Sequence, residues 1–278
     1  LCAVFLLSNI GGYPVGAKLL TGLVRSGRLR RGDASRLLCC CYGSGPSFVI
    51  GTAGMQVFGS AAAGGMIFGA CILSSLVAAA VVCRFGKPIL LDESSSAQDL
   101  SAGCFISSVD AGARVMYTVC VMSVAFAAVT ALLDSAGITE LAAWALGKLG
   151  LGGNSDRLLP ALLEVTQVRG LVPEGAAASL CAAALSFGGV CVLMQVGALT
   201  GGEISMKPLL ISRLPAALLS GLLAFSAGKL TTAAEAYSPN ASGVPAGQAF
   251  SINAGLSVCV LIMAGMLILL VEGGRATD

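Results

Sequence analysis

Residues 38–60 read LCCCYGSGPSFVIGTAGMQVFGS. The stretch has the length and apolarity of a membrane-crossing helix, yet Gly43-Ser44-Gly45-Pro46 cuts it in two. Residues 176–200, AAASLCAAALSFGGVCVLMQVGALT, have the same form and are cut at Ser186-Phe187-Gly188-Gly189. Proline lacks a backbone donor and glycine loosens a helix, so each cut leaves peptide groups unpaired at membrane depth. Such interruptions survive only against protein or a wet cavity. Around them lie four uninterrupted apolar runs, residues 65–83, 115–133, 208–228 and 250–271. Each is near the roughly 20 residues that a hydrocarbon core of about 30 Å requires. The expectation is an all-α polytopic membrane protein with about six spanning segments, two of them broken.

Composition agrees. Of 278 residues, 56 % are hydrophobic and 11 % charged, with a mean hydropathy of +0.90. A soluble domain carries roughly 25 % charge, so a water-soluble globule is excluded. The net charge of +2 is too mild, and the basic residues too dispersed, for a nucleic-acid surface. The partners left are the lipid bilayer and a small-molecule substrate. Among the 11 cysteines, Cys71, Cys83, Cys120, Cys181, Cys191 and Cys259 lie in or at the edge of apolar runs and read as small buried hydrophobes. Cys39, Cys40 and Cys41 are adjacent, the wrong spacing for a C-x-x-C pair, and no histidine is present to complete a zinc site. No metal and no cofactor are expected. The chain starts at Leu1 without Met, in an apolar stretch. It reads as a single membrane domain, 1–278, truncated at its N-terminus, with residues 1–10 the tail of a helix.

If both broken segments cross, the arginines between Arg25 and Arg36 share one side with Arg84, Lys87, Arg114, Lys207, Arg213 and Arg275. Lys148, Arg157 and Lys229 fall opposite, and Lys18 and Arg169 lie near membrane depth. The basic side is then cytoplasmic; a segment that returns as a re-entrant helix would scatter the count. Residues 19–38 are too basic to span and read as a surface helix, with loops at 90–103 and 239–247. The halves echo each other as repeats over 1–83 and 115–228, followed by a last helix at 250–271. In each, an irregular stretch with one basic residue, 11–18 or 163–170, precedes the broken segment. Paired interrupted segments are the best sequence pointer to the binding site of a transporter built from repeats.

An enzyme is the rival class. Without histidine a Ser-His dyad is excluded. A Ser44–Lys18 pair stays open, needing a desolvated amine within about 3 Å of the hydroxyl. Residues 11–18 miss a phosphate loop, because Ala17 separates Gly16 from Lys18 and Leu19 stands where a Ser or Thr should bind magnesium. No catalytic residue is expected.

For transport, the first constellation is Gly12, Pro14, Gly16 and Lys18, whose ammonium either faces a cavity or snorkels to the interface. Ser44, Gly45 and Pro46 form the second, where half-helix amides receive an anion or simply pack as a kink. Glu164, Thr166, Gln167 and Arg169, with Glu174 beyond, form the third. Glu164 is a candidate for coupling to H⁺ or Na⁺, or the partner of Arg169 in a structural ion pair. Ser186, Gly188, Gly189 and Gln195 are the counterpart in the second half, and Asn253 reads as an interhelical hydrogen bond.

The run Gly12-Tyr13-Pro14-Val15-Gly16-Ala17-Lys18, then Ser44-Gly45-Pro46-Ser47-Phe48, then Ser186-Phe187-Gly188-Gly189 with Gln195, resembles the sporulation integral membrane protein family YlbJ, also called SpoVV. That family belongs to the nucleoside-recognition (Gate) group, related to concentrative nucleoside transporters. The resemblance implies a multi-spanning protein of the outer forespore membrane that carries dipicolinic acid during sporulation. It also implies Tyr13 among the substrate-binding residues. Two carboxylates on such a substrate would match Lys18 and Arg169 as two cations. A nucleoside transporter of the Gate group is the first alternative, and a non-transporting membrane scaffold for spore-envelope assembly the second. A homo-oligomer stays open.

Overall fold

In the computed structural model, residues 2–85, 89, 102–148 and 152–237 are described. The expected helix at 250–271 with Asn253 and Cys259, the loop at 239–247 and nearly all of the loop at 90–103 lie outside them. The described residues form α1 (Cys2–Gly11), α2 (Tyr13–Arg25), α3 (Arg31–Leu38), α4 (Pro46–Phe48), α5 (Ala61–Phe85), α6 (Ala102–Ser135), α7 (Ile138–Gly147), α8 (Ser155–Leu163), α9 (Ala177–Phe187), α10 (Gly189–Thr200) and α11 (Lys207–Tyr237). α4 runs straight into π-helical turns over Val49–Val57, and a 3₁₀ stretch covers Val165–Gly170. No strand occurs among the described residues. Four helical runs are long and apolar enough to cross a membrane: Ala61–Val81, Phe105–Ser135, Ala177–Thr200 and Lys207–Gly228. The chain divides into two units, Leu1–Leu230 and Thr231–Asp278, and the site lies in the first.

Two pairs of short elements turn back on themselves. A Cβ on Gly16 would lie 2.9 Å from Ser8 Oγ, a proximity that eight residues of straight helix forbid. The chain therefore reverses at Gly12, whose φ of 87° suits glycine alone. α1 and α2, 10 and 13 residues in the described chain, therefore pack side by side as a helical hairpin. Likewise a Cβ on Gly170 would lie 3.8 Å from Arg157 Cδ, placing the second reversal near Glu164, whose backbone is extended between α8 and the 3₁₀ stretch. Each hairpin is followed by an interrupted helix and then by a long one: α3, residues 39–45, α4 and α5 in the first set; α9, Gly188, α10 and α11 in the second. α6 and α7 stand between the sets.

Two local expectations are corrected. Residues 11–18 are not irregular: only Gly12 leaves the helical region, since Pro14 falls in the first turn of α2, where its missing N–H costs nothing. Residues 19–38 are not one surface helix. α2 ends at Arg25, Gly27 turns the chain, and α3 begins at Arg31. Leu20, Ala34 and Leu38 are fully buried, because the apolar spacing of each short helix gives it a face to pack while the arginines collect near the turn.

The core gathers where the two sets meet: Tyr13, Ala17 and Leu20 from α2, Tyr42, Val49 and Ala53 around the first interruption, Ile67 and Cys71 from α5, Cys181 and Leu185 from α9. α6 is the least covered of the long helices, with only 6 % of its apolar window buried, so Phe105, Tyr117, Val124 and Leu132 are left to hydrocarbon. The π turns and α5 cross backbone to backbone. A Cβ on Gly54 would come 2.7 Å from Gly64 Cα, and one on Gly64 would come 2.8 Å from Ile50 Cα. We expect Gly64→Val to destabilise the protein by about 2 kcal/mol through overpacking, read as a lowered unfolding midpoint. Gly65→Val, whose Cβ meets nothing within 4 Å, should leave that midpoint nearly unchanged.

Candidate functional site

The two hairpin tips and the two interruptions converge. At the first tip, a Cβ on Gly12 would lie 3.6 Å from Gly45 N, and one on Gly45 would lie 3.0 Å from Ile10 O, so tip and interruption touch through bare backbone. At the second, Gly189 lies against Leu163 O and Val165 N. Two tyrosines join the halves. Tyr13 donates its hydroxyl proton to Leu185 O and Tyr42 donates to Phe187 O at 3.1 Å, their rings 4.8 Å apart. Gly188, at φ 86°, ends α9. It stands twelfth in the 24-residue run Ala177–Thr200, so the second interruption sits at the middle of a membrane-length segment.

Arg213 enters this junction from α11. It is 1 % exposed, the largest fully buried side chain among the described residues. Its Nη2 donates to Cys39 O; Nη1 donates to Tyr42 O at 3.4 Å and to Ser186 O at 3.3 Å. The guanidinium carbon lies 4.8 Å from the centre of the Tyr42 ring. Cys39 and Tyr42 lie past the C-terminal end of α3 and Ser186 in the last turn of α9, where unpaired carbonyls carry partial negative charge and a cation is favoured. No carboxylate pairs with it among the described residues, and Nε has no hydrogen-bond partner.

Beside the junction lies a cavity of ≈ 10 Å³ lined by Asn9, Tyr42, Gly43, Ser44, Cys71, Ser75 and Ser186. That is room for one water. Asn9 Oδ1 and Ser44 Oγ are buried there without a completed hydrogen bond, Ser44 beside the Tyr13 hydroxyl. Among the described residues no group of three or more Cys, Asp or Glu side chains gathers as a metal site.

Of the residues picked out by sequence, Gly12, Tyr13, Ser44, Gly45, Ser186, Gly188 and Gly189 meet at this junction. Pro14 and Pro46 open the helices that lead away from it. Gly16 lets α2 approach Cys41. Glu164 is 3 % exposed at the second tip and accepts a hydrogen bond from Thr166 Oγ1. Arg169 is exposed and makes no ion pair with Glu164. Lys18 is exposed on α2, so neither expected cation stands between the interruptions; Arg213 does. The reason is helical register: the faces of α2 and the 3₁₀ stretch that pack inward carry Ala17 and Val168, which turns their neighbours Lys18 and Arg169 outward. Gln195 is buried on α10 and donates to Cys191 Sγ at 3.2 Å. Gln167 lines a different cleft, ≈ 540 Å³, between α6, α7 and α8, with Asp134, Glu140, Asp156 and Arg157.

By sequence Arg213 groups with the cytoplasmic charges; the structure buries it at the junction instead. The signal was there: an arginine inside an apolar run, two residues before Pro215, is by default a functional or paired charge. The described residues thus define an all-helical integral membrane protein whose two sets of interrupted helices meet on a buried arginine. Comparison with family models, with curated proteins and with solved structures returns no match to this chain.

Proposed function

We propose that the chain is a membrane transporter or facilitator for a small carboxylated solute, taken up between the two hairpin tips and the two helix interruptions. The observation that carries this reading is Arg213: a guanidinium buried in an apolar chain, without a carboxylate partner among the described residues, at the point where both interruptions meet. A membrane protein that only needed a rigid joint would gain as much from an apolar side chain. The ≈ 10 Å³ cavity is too small for any organic solute, so a solute could enter the junction only if the two sets moved apart. Transport then requires the two sets to part and close alternately around the junction. About six crossings, with the turn carrying Arg25, Arg28 and Arg31 on the cytoplasmic side, complete the arrangement.

The resemblance to the YlbJ family makes dipicolinate the first solute to test, and an outer forespore membrane the first place to look. Purified protein in proteoliposomes is expected to take up labelled dipicolinate faster than protein-free vesicles, with dicarboxylates competing and uridine not. Competition by uridine instead would support the nucleoside reading, and uptake of neither would leave the scaffold. Glu164, buried and accepting a hydrogen bond from Thr166, is proposed as the coupling group. Glu164→Gln should abolish accumulation driven by an ion gradient while leaving solute exchange across the bilayer intact. Loss of both activities together would assign Glu164 to the fold instead.

A further inference from the structure

We infer that Arg213 is the specificity-determining residue of this site and also its latch. It ties the two interruptions together through backbone carbonyls, and gives those up for the carboxylate of a planar anionic solute. The inference rests on the transport reading and goes one step further, naming the group that recognises charge and the bond that must break.

The hydrogen bonds argue for exchange. Nη1 reaches Tyr42 O at 3.4 Å and Ser186 O at 3.3 Å, beyond the 2.7–3.2 Å of well-formed N–H···O bonds. Nη2 spends its second proton on Ser212 Oγ at 3.4 Å, and Nε has no partner. A guanidinium has five N–H donors in a planar fork. Here Cys39 O alone is a close acceptor. A carboxylate supplies two charged oxygens at about 2.7–2.9 Å in bidentate geometry, roughly twice as strong as neutral contacts, and it cancels the buried charge.

Position makes the same group a latch. Tyr42 O belongs to the first interruption and Ser186 O to the end of α9, and the one nitrogen Nη1 bridges them. Turning the guanidinium toward an anion removes that bridge. Tyr13 and Tyr42 then remain as the only side-chain hydrogen bonds described between the first hairpin or its interruption and the end of α9. Pro215, two residues on, leaves the carbonyl of Ile211 without its helical donor, so the turn of α11 that carries Arg213 is the softened one. A neutral solute of the same shape has no charge to offer and leaves the bridge in place.

The test uses pyridine-2,6-dicarboxylate and its neutral diamide as probes of one shape and two charges, on the purified full chain in nanodiscs. Wild type should bind the dicarboxylate about a hundredfold more tightly than the diamide. Arg213→Met should reduce that preference to about threefold or less, and Arg213→Lys, which keeps the charge but not the fork, should restore part of it. Arg213→Met with the preference intact would overturn the inference. Should that variant fail to fold, wild type alone decides through maleimide labelling of Cys39, Cys40 and Cys41, which are buried at the first interruption. Labelling should rise with the dicarboxylate and not with the diamide, and equal labelling with both would overturn the latch. Wild-type protein that transports the diamide as well as the dicarboxylate would keep the transport reading and end this one. Charge-selective binding that depends on Arg213 without uptake would do the reverse.

Discussion

Gly16→Ala is expected to cost about 3 kcal/mol of stability or prevent folding altogether, although it adds one methyl group to the middle of a helix. The new Cβ would overlap the carbonyl oxygen of Cys41 and stand 3.0 Å from its carbonyl carbon and 2.9 Å from Ser8 Oγ. Two of those three atoms are backbone, which cannot swing aside as a side-chain end can. Relief would require α2 to withdraw from the first interruption, taking Tyr13 and its bond to Leu185 O with it. The control lies on the same helix: a Cβ on Gly22 meets nothing within 4 Å, so Gly22→Ala should stabilise by about 0.5–1 kcal/mol through helix propensity. Denaturant unfolding of both variants in detergent measures the pair. Similar effects at the two positions would mean that the hairpin does not pack on the interruption.

Gly188→Ala should destabilise by about 3 kcal/mol, from two causes that can be separated. At φ 86° an L-residue pays for the left-handed conformation, and the added Cβ runs into the Tyr42 ring, with Tyr42 Cζ at 2.7 Å. Only the second cause depends on Tyr42. The double variant Gly188→Ala with Tyr42→Ala should therefore fall short of additivity by about 1–2 kcal/mol, because without the ring there is nothing to strike. Strict additivity would show that Tyr42 does not cover the second interruption. If the proposed transport holds, uptake by the Gly188→Ala variant should fall along with stability, since Tyr42 Oη also bridges to Phe187 O.

Much of the architecture was legible without coordinates because the bilayer leaves few options. Residues 65–83, 115–133 and 208–228 each overlap a membrane-length helical run, since length and apolarity are all that such a run requires. The positions of both interruptions followed from local chemistry. Pro46 opens a helix where its missing N–H costs no bond, and Gly188 is where α9 can end in a left-handed turn. Harder to read were Gly12, which reverses the chain rather than kinking it, and α7. That short helix carries exposed Ile138, Leu141 and Trp144 with Lys148 stacked 3.6 Å over the indole, and it offered neither span length nor motif.

Side-chain direction was the part that no pattern carried. Lys18 and Arg169 had the right charge and sat next to the right glycines, but one step along a helix turns a residue by about 100°, and packing of Ala17 and Val168 took the inward positions. Arg213 lies 167 residues beyond Pro46, with nothing local to link the two. Composition and hydropathy settled that this chain belongs in a membrane and where its helices must fail, because the cost of an unpaired peptide group in hydrocarbon is paid locally. Which charge stands at those failures was settled by the meeting of α3, α9 and α11, where carbonyls from distant segments converge on one guanidinium.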